Sequence, residues 1–235
     1  MAKIIKILLK GKHTQFLRNI VKYFLRRAKL GMVSFNSDDR ISIFEYIQSC
    51  RNIVEIAITD VEAFIICKCL INAEKIDGAI AEIGVYRGGT SYLMANYKKD
   101  KELHLFDTFE GIPEEAITAH DTQVIKAGMY PSNLDKVKRL FKKTDKVKFH
   151  PGFFPKSADT AMVDKFSFVH LDVDTYTSTM DALKYFYNRL SKGGIIISHD
   201  YSSLEGVNKA FNEFFGNRTE TIIELPTSQA LIVKT

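Results

Sequence analysis

The chain has 235 residues with 46% hydrophobic and 26% charged side chains, an ordinary globular composition that excludes a disordered or fibrous class. Nine of its 33 Lys and Arg and none of its 28 Asp and Glu fall within residues 1–37, so the remainder carries 24 basic against 28 acidic groups. The net charge of +5 therefore belongs to the N-terminal segment, which argues against a nucleic-acid-binding body.

Lys6, Lys10 and Lys12 interrupt the first apolar stretch, so no run approaches the roughly 18 apolar residues of a membrane-spanning helix. Ile4 to Leu9 also falls short of the apolar core of about 7–15 residues in a secretory signal, and a cytoplasmic protein is expected. Cys50, Cys67 and Cys69 cannot all pair, and Cys67-Lys68-Cys69 lacks the two-residue spacer of redox and zinc pairs; all three read as core thiols.

In chain order, Phe16, Leu17, Ile20, Val21, Phe24, Leu25 and Ala28 recur at helical spacing, with Arg18, Lys22, Arg26 and Arg27 on the other face. Such a basic amphipathic helix can dock on the core, meet a second subunit in a homo-oligomer, or lie on the anionic inner face of a membrane as a peripheral contact. Gly31 to Asp39 reads as a loop, and Ser37 and Asp38 offer caps for the pattern Ile41 to Ile47. A helix over Asp60 to Ala73 stops near Asp77-Gly78. Residues 1–75 are thus read as a basic helical segment packing on a core of residues 76–235.

In that core, strand candidates Ala79–Gly84, Leu103–Phe106, Val147–His150, Phe168–Leu171 and Gly194–Ser198 alternate with helical stretches Thr90–Tyr97, Asn133–Phe141, Ser178–Leu190 and Val207–Phe215. Alternating βα units predict an α/β fold with a parallel sheet covered on both faces. Thr221–Leu225 and Ala230–Val233 are joined by only four residues, too few for a parallel crossover, so they form an antiparallel hairpin at the sheet edge.

Chemistry concentrates at the strand ends. Glu82-Ile83-Gly84-Val85-Tyr86-Arg87-Gly88-Gly89-Thr90 sits where the first strand turns into its helix, and its glycines suit a tight turn or a close approach to a ligand. Tyr86 occupies the place of the middle glycine of a dinucleotide fingerprint, so the pattern is E-x-G-x-x-x-G. Asp107, 23 residues after Gly84, ends the second strand, where an acid can accept from both ribose hydroxyls or cap the next turn. Thr108 and Phe109 follow it. Gly152 and Phe153 lie in the aromatic run after the third strand, which can stack on a base.

Asp172, Asp174 and Tyr176 follow the fourth strand, and His199, Asp200 and Tyr201 the fifth. Neighbouring strand ends at the switch point would bring three carboxylates and an imidazole together. Such a set suits a hard divalent cation or a proton acceptor; alternatively Asp172 and Asp174 cap the helix near Ser178 and His199 is a core histidine. His170, inside the strand, reads as structural. Glu114 to Tyr130, with Asp121, Gln123 and Gly128, reads as a lid whose polar groups face an acceptor.

The E-x-G-x-x-x-G pattern resembles motif I of class I S-adenosylmethionine-dependent methyltransferases. Together with Asp107-Thr-Phe-Glu-Gly-Ile-Pro113, His150 to Pro155, Asp172 to Tyr176 and Ile197 to Tyr201, it resembles the macrocin O-methyltransferase family over Ile80 to Tyr201, about half of the chain. The resemblance implies a Rossmann-like, mostly parallel seven-stranded sheet and methylation of a sugar hydroxyl on a glycoside, glycolipid or polysaccharide precursor. It implies S-adenosylmethionine held by Glu82, Gly84, Tyr86, Gly88, Gly89, Thr90, Asp107, Thr108, Phe109, Gly152, Phe153 and Asp172. It implies catalysis by Asp172, Asp174 and His199, with Mg²⁺ or Mn²⁺ on Asp172, His199 and Asp200. The family's consecutive acids after the fifth strand appear here as His199-Asp200, and imidazole suits a softer cation than Mg²⁺ or a general base. A phenol or amine methyltransferase and a nonenzymatic cofactor-binding module are the other readings.

Overall fold

Each short apolar run between Ala79 and Ser198 must bury both faces, and the chain meets that need by returning a helix over the sheet after almost every strand. The computed structural model describes Tyr23, Arg27, Val33, Phe35 and residues 37–235. In it α1 (Asp38–Arg51) and α2 (Asp60–Ala73) precede β1 (Ala79–Ile83), α3 (Gly89–Tyr97), β2 (Leu103–Asp107), α4 (Leu134–Leu140) and β3 (Val147–Pro151). Then come β4 (Phe166–Leu171), α5 (Tyr176–Arg189), β5 (Leu190–Ser198), α6 (Glu205–Phe215), β6 (Ile223–Glu224) and β7 (Ala230–Val233).

The strands form one seven-stranded sheet in the order β3-β2-β1-β4-β5-β7-β6. β1 to β5 pair in parallel, whereas β7 runs antiparallel to both β5 and β6, as the short β6–β7 link requires. β4 is buried at all six positions. Its neighbours include α5 and α2; α5 also packs on α6, and α2 on α3. The core is aromatic: Phe106, Phe154, Phe166 and Phe186 interlock at ring separations of 4.9 to 5.8 Å.

The N-terminal boundary differs from the sequence reading. The chain divides into units of residues 1–38 and 39–235, not at 75. The apolar helix α2 buries Phe64, Ile66, Cys67, Cys69, Leu70 and Ala73 and belongs to the second unit. Its start is set by a capping box in which Thr59 and Glu62 satisfy each other's backbone N–H. All three cysteines are buried and unpaired, and burial pushes the Cys69 thiol up to about 12. The expected basic helix over residues 16–28 lies outside the described residues except for Tyr23 and Arg27, which are helical and joined by a 3.0 Å hydrogen bond. No helix among the described residues is long and apolar enough to cross a membrane.

β2 and β3 carry a buried histidine pair, His104 Nδ1 and His150 Nε2 at 2.9 Å. Burial holds both below the ordinary value, His150 down to about 4, with the charge of His104 as its second cause. A histidine kept neutral in the fold but free to protonate when unfolded gives the unfolded state the extra proton between pH 6.5 and about 4, so stability falls as pH falls through that window. The loss is on the order of 3 kcal/mol if the full window is crossed. Urea midpoints should therefore drop steeply from pH 7 to pH 4.5, and less steeply in His150→Gln; parallel pH profiles for the two proteins would contradict this.

Candidate active site

Beyond the carboxyl ends of β1, β4 and β5 the backbone ladder continues for one more step. Gly84 N–H donates to Phe106 O, Asp172 N–H to Ile83 O and His199 N–H to Leu171 O, at 2.9, 2.9 and 2.8 Å. Gly84 has φ +86°, and a Cβ there would lie 1.7 Å from the Asp172 carbonyl oxygen. A side chain at 84 would therefore push the β1 loop off the β4 end. Gly88, at φ +82°, opens α3, and a Cβ there would meet Val137 of α4 at 2.9 Å.

The loop between these glycines is tied down by Asp107. Its Oδ2 accepts from Val85 and Tyr86 N–H at 2.7 and 2.8 Å, and its Oδ1 accepts from Phe109 N–H at 2.6 Å. Burial raises the pKa of this carboxyl although the three N–H groups act to lower it. Asp107 is thus a loop organiser as well as a cleft residue, and the turn-capping alternative describes part of what it does.

A cleft of about 470 Å³ runs from this loop to the acids. Gly84, Tyr86, Gly89, Thr90, Asp107, Thr108, Gly152 and Phe153 line it, with Asp172, Asp174, His199 and Asp200 at its other end. Three expected cofactor residues do not line it. Glu82 is 1% exposed and turned inward, bonded to His170 Nδ1 at 3.0 Å and to Ser91. Gly88 is taken up by the contact with α4, and Phe109 is buried. The strand histidine His170 is fully buried against Glu82, as a structural histidine should be.

At the acidic end, His199 Nδ1 lies 2.7 Å from Asp200 Oδ2 and 3.2 Å from Asp172 Oδ1, while its Nε2 lies 3.7 Å from Glu62 Oε1. Burial opposes the charged form of His199, but the carboxylates of Asp172, Asp200 and Glu62 around the ring outweigh it and hold the imidazole well above its ordinary pKa. Burial and the charges of Asp172 and Asp200 push Asp174 well above the carboxylate range, and it hydrogen-bonds Asp200. Asp200 is held low: burial resists ionisation, but bonds from His199, Ser203 and Asp174 prevail. Neither Asp172 nor Asp174 caps α5; Thr175 does, accepting from Ser178 N–H.

Asp172, His199 and Asp200 offer ligand atoms all within 4.8 Å of one another. Two carboxylates and one imidazole nitrogen are a donor set that a divalent cation fits, Mn²⁺ better than Mg²⁺ on account of the nitrogen. Proton and cation compete for this place, because an imidazole must be neutral to ligate.

Sequence reasoning overlooked several cleft residues. Glu55, Ala57 and Ile58 reach it from the link between α1 and α2; Ile112 and Pro113, just before the expected lid, and Met129 and Tyr130, at its far end, also line it. These two stretches are paired, Ile112 N–H to Met129 O at 2.9 Å and Gly128 N–H to Ile112 O at 2.8 Å. Asp121 is 2% exposed and its carboxylate accepts from Thr118 and from the Tyr176 N–H. Gln123 lies apart from the main cleft, in a smaller pocket that also touches Asp174. Glu62 was the other omission, although Thr59-x-x-Glu62 is visible in the sequence as a capping box.

Residues 59–228 match the family model described as Macrocin-O-methyltransferase (TylF). The chain is 30% identical over 164 residues to the 8-demethyl-8-(2,3-dimethoxy-alpha-L-rhamnosyl)-tetracenomycin-C 4′-O-methyltransferase of Streptomyces olivaceus, covering 64% of this chain and 62% of that one. It is 32% identical over 144 residues to the mycinamicin III 3″-O-methyltransferase of Micromonospora griseorubida, covering 54% and 57%. The chain thus spans about three fifths of the length of these curated relatives. Among solved structures, the O-methyltransferase NovP superposes with a TM-score of 0.67 at 26% identity, over 74% of this chain and 79% of NovP. With the family model covering well over half of its residues, the chain belongs to the macrocin-O-methyltransferase family.

Proposed function

We propose that this protein transfers the methyl group of S-adenosylmethionine to a hydroxyl of a sugar-bearing small molecule. The observation that carries the reading is the single cleft shared by the β1 glycine loop at one end and Asp172, His199 and Asp200 at the other. A volume of about 470 Å³ is that of a small-molecule site. The names of two relatives, one a rhamnosyl-tetracenomycin 4′-O-methyltransferase and one a mycinamicin 3″-O-methyltransferase, support a glycoside as acceptor.

In this reading Gly84, Tyr86, Gly89 and Thr90 receive the amino-acid end of the cofactor, Asp107 its ribose hydroxyls, and Gly152 and Phe153 its adenine. The three N–H groups on Asp107 take both lone-pair sites of Oδ2 and one of Oδ1, so a site on Oδ1 stays open to a ribose hydroxyl while the loop is held. The acceptor oxygen attacks the sulfonium methyl carbon, the sulfur–methyl bond breaks with its electron pair going to sulfur, and the hydroxyl proton passes to Asp172. A divalent cation, held by Asp172, His199 and Asp200 when bound, supplies stabilisation of the developing alkoxide charge. The protein's own groups align oxygen and methyl carbon and keep bulk water out of their path. Asp174, its carboxyl pushed toward the neutral form by burial and by Asp172 and Asp200, adds no further full negative charge beside the nucleophile.

Three outcomes test the reading. Asp107→Asn should weaken S-adenosylmethionine binding about 10–150-fold in calorimetry, and should raise amide exchange at Val85, Tyr86 and Phe109. Wild-type affinity in the folded variant would remove Asp107 from the ribose. Asp172→Asn should instead cut turnover on a glycoside acceptor by at least about a hundredfold while cofactor affinity stays within error. If chelation with EDTA leaves turnover intact, the cation has no part in it; restoration by Mn²⁺ in preference to Mg²⁺ is the expected result.

A further inference from the structure

The imidazole of His199 sits where two acids meet it from one side and a third from the other. A ring of this shape can turn by half a rotation about its χ2 bond at small steric cost, exchanging Nδ1 with Cδ2 and Nε2 with Cε1, so something must select the orientation. We infer that Glu62 is a positioning residue of His199: by setting a fixed carboxylate against the Nε2 edge at 3.7 Å, it reinforces the ring orientation that points Nδ1 at Asp172 and Asp200.

Glu62 is built for a fixed position. It is 4% exposed, at the third position of α2, and both its oxygens are tied. Oε2 accepts from the Thr59 N–H and from Thr59 Oγ1, each at 2.8 Å. Oε1 accepts from Ser228 Oγ at 2.7 Å and from the Ser228 N–H at 3.3 Å, and the same Oε1 faces His199 Nε2 at 3.7 Å. Ser228 in turn accepts at its carbonyl from the Ser202 N–H at 3.1 Å, so the turn before β7 ties Glu62 to the segment just after Asp200. Four donors on one buried carboxylate are more than a helix cap needs. A Gln completes a capping box as well as a Glu does, so the cap alone does not call for a carboxylate here. The second oxygen answers the two Ser228 donors and, beyond them, the Nε2–H of His199, whose proton must stay on Nε2 when Nδ1 is to serve as a ligand. An acid behind a ligating histidine fixes its tautomer and orientation in this way.

The metal part of this inference rests on the proposed function; the ring-orientation part does not, and the experiment separates them. Ring ¹⁵N spectra of the full chain read His199 without any cation, and calorimetry with Mn²⁺ alone reads ligation without turnover. Glu62→Gln, which keeps the cap, should shift the His199 ring nitrogens and leave those of His104, His150 and His170 unmoved. It should also lower Mn²⁺ affinity by about 10–100-fold. Thr59→Ala, which breaks the same capping box, should lower the melting temperature yet leave both readings at wild-type values. Should Glu62→Gln fail to fold, Glu62→Asp, which withdraws the carboxylate, should move both readings in the same direction. Unchanged ring nitrogens in the folded Glu62 variants, or an equal response in Thr59→Ala, would overturn the inference. A wild-type protein that binds no Mn²⁺ while its His199 ring responds to Glu62→Gln would contradict the cation and still support Glu62.

Discussion

The approach of the Gly84 backbone to the Asp172 carbonyl fixes the geometry on which the site depends. With no Cβ between them, the ends of β1 and β4 stay one ladder step apart, and the Asp172 N–H can reach the carbonyl of Ile83. The next step of the same ladder, His199 N–H to Leu171 O, brings the β5 end alongside. One run of backbone hydrogen bonds therefore sets the glycine loop, the acid of β4 and the imidazole of β5 side by side at the switch point of the sheet.

That placement carries an electrostatic cost, which is met locally. Asp172, Asp174 and Asp200 crowd one end of a partly buried cleft, where like charges repel strongly. Three devices offset the repulsion: His199 is held in its charged form between the acids, Asp174 is driven toward its neutral form, and Ser203 Oγ donates to Asp200 at 2.7 Å. The backbone is strained at the same place. Tyr86, Tyr130, Asp174 and Asp200 have φ between +50° and +59° and all line the cleft. Residues other than glycine persist in that region only when their surroundings hold them there, and each costs on the order of 1–3 kcal/mol. Glu62 ties α2 to the turn before β7 beside this place, through one buried carboxylate that also faces His199.

The parts of this arrangement that were legible from sequence are those with a local cause. Period and length announced the five parallel strands and the hairpin, and four residues between Leu225 and Ala230 were enough to dictate its direction. The strand-end rule brought Asp172, His199 and Asp200 together before any coordinates did. What was not legible has tertiary causes. Glu82 and Phe109 sit in motifs that point at the cleft, but pleat and turn rotate their side chains inward, which a pattern of letters does not reveal. The glycines were read as suiting a tight turn or a close approach to a ligand; Gly84 and Gly88 also make room for Asp172 and Val137. Glu62 carried a local signal, its capping box, that explained it completely at the level of the helix and so concealed its second contact, made 137 residues away along the chain.

The claim at the centre of this account is that the glycine-loop end and the acidic end of one cleft serve one reaction, methyl transfer to a sugar oxygen. It is tested most directly by incubating the protein with S-adenosylmethionine carrying an isotopically labelled methyl group and a set of glycosides that have free hydroxyls, with matched phenols and amines beside them, and locating the label by mass spectrometry and NMR. The account predicts label on a sugar oxygen of at least one glycoside, with S-adenosylhomocysteine formed in equal amount and both products lost in Asp172→Asn. Label appearing only on phenols or amines, or on a glycoside equally well without Asp172, would contradict it.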